Sequence, residues 1–211
     1  MTDDRRDTRI DKNRLEALVD GIFAFAMTLL VTGLVIPNLS KTEAQSALAG
    51  TIAGMRHELI SFLVAFFVLA SFWHVHNRQF HFIRRVDGGI LSITLLILAG
   101  VVLMPFTTNV SGDYSEVQVA VVLFHGNMLC LGLLFLIHWW YLTRTPDITT
   151  AAISDRDAAY GMRRCLIVPA VSALGFAFSF ISPAWSMTSY LLILPASVLA
   201  GKYPQGTGSG G

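Results

Sequence analysis

The chain has 211 residues, of which 54% are hydrophobic and only 14% charged, and its formal net charge is +1. A soluble domain carries about 25% charged residues, so an ordinary soluble globule is excluded. The near-neutral balance gives no reason to expect a nucleic-acid partner. The placement of the charges is more informative than their sum, because they are clustered and separated by long apolar gaps.

Residues 1–13 read as a polar cytoplasmic tail of mixed charge, without the basic start, apolar core and cleavage site of a secretory signal. The apolar runs that follow predict six helices, at about 20–37, 58–78, 88–108, 117–141, 164–182 and 186–202, each near the roughly 20 residues that one membrane span needs. The last two come from one run, Cys165 to Gly201, which holds no Asp, Glu, Lys or Arg. Ser182-Pro183 divides it, since proline breaks a helix interior and biases its predecessor to extended backbone. Strands are not expected, because an open sheet edge has no partner in lipid. The fold class is therefore an all-α membrane protein, with a single six-helix domain over 14–203. Residues 204–211 read as a flexible tail or linker.

Lysine and arginine set the orientation. With six spans, thirteen of the fifteen fall on the side that holds both termini, and only Lys41 and Arg56 fall on the other. Both termini are thus expected in the cytoplasm. No internal repeat appears, so a central pathway would come from several copies of the chain around an axis.

The first helix carries the main signal. Arg14, Glu16 and Asp20 run straight into an apolar stretch, and a charge at that depth is costly unless paired or wetted. On a helical projection Phe25, Thr28, Leu29 and Thr32 form one stripe about 100° wide. Bulky apolar side chains and hydroxyls on one face suit a pore that gates by dewetting and partly hydrates an ion; ordinary packing against lipid, with each threonine bonded to its own helix, fits the same spacing. Asp20 falls about 140° away, towards the bundle interior, where Ser71, Trp73, His74 and His76 are its candidate partners. Arg14 lies about 9 Å along the axis, so a direct bond would need its long side chain to fold forward or the helix to start late. The acid reads either as a polar clamp between helices or as a proton or cation relay.

Elsewhere the signals are weaker. His74, His76 and His81 lack the i,i+4 spacing of a zinc pair. Cys130 and Cys165 read as small buried hydrophobes, Gly126, Gly132, Gly161 and Gly175 as close-packing sites. Asn109-Val-Ser111 matches a glycosylation sequon too common to weigh. No nucleophile–base pair, phosphate loop or metal cluster appears, so neither an enzyme nor a bound cofactor is expected.

The segment from Arg14 through Asp20 into Gly21-Ile-Phe-Ala-Phe-Ala-Met-Thr-Leu-Leu-Val31 resembles the signature of the transmembrane protein 175 family of potassium channels. Its members carry an arginine, three variable residues and Phe-Ser-Asp; here Leu18 and Val19 replace the Phe and Ser. Ser71-Phe-Trp-His74 and Leu103-Met-Pro-Phe-Thr-Thr108 are also similar to the bacterial members. The resemblance implies a bacterial homotetramer whose first helix lines a central pore without the usual Thr-Val-Gly-Tyr-Gly filter. By position it makes Phe25, Thr28, Leu29 and Thr32 pore-lining and Arg14, Asp20 and Gly21 the structural motif, with Ser71, Trp73 and His74 a polar network beside it. Family members usually carry isoleucine or leucine where Phe25 stands, so the ring would narrow the constriction. The expected function is passive conduction of potassium and other monovalent cations across the bacterial plasma membrane. A proton-coupled transporter or exporter using Asp20, or a structural membrane subunit, are the alternatives.

Overall fold

In a computed structural model, residues 11–200 are described, except for the side chains of Leu194 and Val198. The expected terminal segments 1–13 and 204–211 lie wholly or mostly outside that range. The regular elements among the described residues are all helices, with one isolated bridge between Ile83 and Thr149 and no strand. The elements are α1 (Lys12–Leu29, continued by a 3-10 turn at Leu30–Gly33), α2 (Lys41–Gly54), α3 (Arg56–His81), α4 (Gly88–Asp113), α5 (Gln118–Arg144) and α6 (Asp155–Ser179). A C-terminal helical segment follows, made of α7 (Pro183–Ser186), a 3-10 stretch (Met187–Leu192) and α8 (Ile193–Leu199).

Among the described residues, five helices are long and apolar enough to cross a membrane: α1 with its 3-10 turn, α3, α4, α5 and α6. The sixth expected helix, 186–202, is instead the broken C-terminal segment. Pro183 opens it, and Pro195 offers no N–H to Leu191, so the α-helical ladder restarts near Ile193. The expected boundaries also fall short. The first helix begins at Lys12 rather than 20, and α6 at Asp155 rather than 164. Charge marks where lipid gives way to headgroups, whereas a helix stops only where its caps are. Asp11 caps α1 by accepting from the Asn13 amide, Asp87 caps α4 through the Ile90 amide, and Ser154 caps α6 through the Asp157 amide.

A helix that hydropathy did not suggest, α2, fills the connection between the first two spans. Its start is a full capping box, with Ser40 and Glu43 bonded reciprocally. None of its residues is buried.

Two apolar clusters hold the bundle. The larger joins α1, α3, α4, α5 and α6 around Phe23, Phe72, Met104 and Phe135; Phe72 and Phe135 stack at 4.7 Å between centroids. The smaller sits at the end carrying Leu15, Phe80 and Trp139. In lipid such contacts stabilise through dispersion and close approach rather than water exclusion. Accordingly Gly132, Gly161 and Gly175 face Pro169, Trp139 and His125, where a Cβ would collide. Gly126 departs from the expectation and meets open space. Cys165 is buried, but Cys130 is exposed on the helix surface. Within each spanning window only 28–44% of residues are buried by the chain itself. Most of the lateral surface is left for lipid or for further subunits.

Candidate ion-conduction face

The two sides of α1 are chemically distinct. Leu15, Val19, Phe23, Ala26 and Leu30 are buried, at the three- and four-residue steps of one helix face, and they dock α1 onto α3 and α4. On the other side Gly21, Phe25, Thr28 and Thr32 are exposed, with Phe25 at 64%, while Leu29 is half-buried at the margin. Thr28 Oγ1 donates to the Phe25 carbonyl and Thr32 Oγ1 to the Leu29 carbonyl, each at 2.7 Å. The hydroxyl hydrogens are thus held by the helix, and the oxygen lone pairs remain as acceptors on the exposed face.

Asp20 does not face the bundle interior, as its helical angle had indicated; it is exposed. It still reaches α3, because Trp73 Nε1 donates to Asp20 Oδ1 at 2.8 Å. Of the four candidate partners only Trp73 bonds to it. Ser71 is half-buried and His74 exposed, and neither joins the pair. His76 is buried, stacked on Phe80 at 4.2 Å. Arg14 is exposed and forms no ion pair with Asp20, as expected of two residues on one continuous helix. Glu16 instead lies 3.7 Å from Lys12, and the Lys12 ammonium donates to the Ile83 carbonyl at 2.8 Å.

Two buried polar clusters were not anticipated. His138 Nδ1 lies 2.6 Å from Gln79 Oε1, and Gln79 Nε2 donates to the Phe135 carbonyl at 3.3 Å. His125 sits 3.0 Å from the Tyr190 hydroxyl and 2.9 Å from that of Ser186. It thereby fixes the C-terminal segment to α5, with Tyr190 donating on to Ser172 at 3.4 Å. The signal was present in the sequence, since a histidine in an otherwise apolar span has to be explained.

These apolar helices define a multi-pass α-helical membrane protein. The model of the family described as endosomal/lysosomal potassium channel TMEM175 matches residues 14–105 of this chain. A potassium channel of Streptomyces collinus is 27% identical over 191 residues, covering 87% of this chain and 89% of the relative. One of Chamaesiphon minutus is 27% identical over 188 residues, covering 87% and 91%. The crystal structure of a lysosomal potassium-selective channel TMEM175 homolog from Chamaesiphon minutus superposes with a TM-score of 0.76 at 24% identity, covering 90% of this chain and 98% of that one. The potassium channel MtTMEM175 gives 0.58 at 17% identity, covering 92% and 93%. At these identities the two superpositions establish the fold.

Proposed function

We propose that the chain is one subunit of a homotetrameric potassium channel of a bacterial plasma membrane, conducting passively along an axis lined by α1. One observation carries this reading: α1 buries one face in its own subunit and leaves a mixed apolar and hydroxyl face uncovered. Phe25 and Leu29 form the constriction, closing it to water when narrow, and Thr28 and Thr32 offer oxygens to partly dehydrated ions. Without a cage of backbone carbonyls, selectivity for potassium over sodium is modest. The family match over residues 14–105 and the curated relatives, each named a potassium channel, support the assignment.

The subunit crosses the membrane six times in this reading, with both termini cytoplasmic. The C-terminal segment is the sixth crossing: its mix of α and 3-10 turns spans roughly 28 Å, close to the ~30 Å hydrocarbon core. It is tied to α5 by His125 near its start and to α6 near its end, where Arg164 donates to the Ser197 carbonyl. The thirteen-to-two division of lysine and arginine supports the same topology. Asp20, bonded to Trp73, holds α1 against α3 rather than carrying protons for a transporter.

Purified protein in liposomes is expected to pass potassium down a gradient, linear in driving force and independent of a proton gradient. Saturating, proton-dependent flux in wild type, lost in Asp20→Asn, would instead establish the transporter. No flux beside a working control channel would reject both.

A further inference from the structure

At the end of α1 marked by its 3-10 turn, α3 and α4 bring two carboxylates to one place. Glu58 and Asp113 both border a cavity of about 360 Å³ shared with Thr32 and Asn109. Both also border a smaller chamber that Thr108 reaches. Gly112 makes the approach possible, since a Cβ there would stand 3.2 Å from the Glu58 Cα. The Oε2 atom of Glu58 is buried with no hydrogen-bond partner. Thr108 is only 2% exposed, and its Oγ1 is likewise buried without a partner. No lysine or arginine ion-pairs with either carboxylate among the described residues.

A desolvated carboxylate oxygen without a donor costs several kcal/mol. A second carboxylate beside it raises that cost unless one of the two takes up a proton or a positive charge lies between them. The groups that converge are all oxygens: two carboxylates, the Asn109 amide and the Thr108 hydroxyl, or about six potential donor atoms to a hard cation. No third His, Cys, Asp or Glu side chain joins them among the described residues. The set therefore favours a weakly held, oxygen-seeking ion over zinc or another soft metal.

We infer that Glu58, Asp113, Asn109 and Thr108 bind a divalent cation of the calcium type beside the end of α1. A site with this ligand charge should have a Kd on the order of 10⁻⁴–10⁻³ M, as for extracellular modules. The channel reading decides only which side of the membrane it faces. The amide oxygen of Asn109 packs into the space that Gly33 leaves without a side chain, so the ion would also fix the end of the α1 turn.

Radioactive calcium binding to the detergent-purified wild-type protein, at constant ionic strength and with magnesium and potassium as competitors, tests this directly. Saturable binding in that range is expected, displaced weakly by magnesium and not by potassium. Its absence overturns the inference. Glu58→Gln and Asp113→Asn should each abolish the signal while eluting at the wild-type position on gel filtration. Binding that survives in both overturns the assignment. Should those variants fail to fold, Asn109→Asp serves in their place: it adds a carboxylate to the same set and should tighten calcium several-fold, whereas unchanged affinity there counts against the site. The readout is binding rather than flux, so its failure leaves the channel reading standing, and the reverse holds too.

Discussion

Trp73 and Asp20 form a hydrogen bond of 2.8 Å between α3 and α1, on residues that are both exposed within the single chain. The bond adds a polar tie to the apolar docking of α1 through Leu15, Val19, Phe23, Ala26 and Leu30. It acts with that buried face in holding Phe25, Thr28 and Thr32 away from the subunit.

Replacing Trp73 by Phe removes the donor and leaves the carboxylate to water or lipid headgroups. A hydrogen bond to a charged group contributes about 1.5–3 kcal/mol, and partial exposure places this one at the low end. Trp73→Phe and Asp20→Ala, which remove the donor and the acceptor respectively, are expected to lower the thermal midpoint by similar amounts, and the double variant by little more than either. Fluorescence-detected melting of the detergent-purified protein reads this, and fully additive losses would show that the pair does not act together.

Phe25→Ala should raise potassium flux in liposomes several-fold while leaving the melting temperature nearly unchanged, since the ring is 64% exposed and fills no core space. Thr28→Val and Thr32→Val should alter the potassium-to-sodium ratio without impairing folding, because each hydroxyl bonds only to its own helix. Unchanged flux and ion ratio in all three would remove α1 from the conduction path.

The His138–Gln79 pair is buried. Substituting leucine for either residue leaves the other polar group without its partner, a loss of about 1–3 kcal/mol. Replacing both should cost less than the two single losses together. A double-mutant cycle on thermal or denaturant midpoints measures the coupling, and no coupling would mean that solvent or lipid satisfies the groups instead.

Gly132→Ala and Gly126→Ala make a matched pair on α5. The first drives a methyl into Pro169 of α6, an overpacking expected to cost about 1–3 kcal/mol; the second meets open space. Monomer melting temperatures should fall for Gly132→Ala alone. A fall for Gly126→Ala in the assembled protein but not in dissociated subunits would place that glycine at a subunit contact.

How far the residues announced the fold depended on what each signal measures. Hydropathy located α3, α4 and α5 closely, because their apolar runs end near their caps. It lost the first turns of α1 and α6, where Lys12, Glu16 and Asp155 are charged but still helical. It passed over α2 because Ser40 and Glu43 start a helix that buries nothing, so no apolar period marks it. Helical projection put Phe25, Thr28, Leu29 and Thr32 on one stripe, of which Phe25, Thr28 and Thr32 are exposed and Leu29 half-buried. It misjudged Asp20, since an angle says where a residue points but not how far the neighbouring helices extend around it. Trp73 was among its expected partners, whereas the pairing of His138 with Gln79 needed a helix register that spacing within one helix cannot supply.

The division of α1 into a docked face and an uncovered one also separates two kinds of selection. Leu15, Val19, Phe23, Ala26 and Leu30 answer to the subunit's own packing. Phe25, Thr28 and Thr32 do not, so their side chains are free to vary without a folding penalty. In the channel proposed above, a lineage can then retune what passes along that face one residue at a time, through intermediates that all still fold.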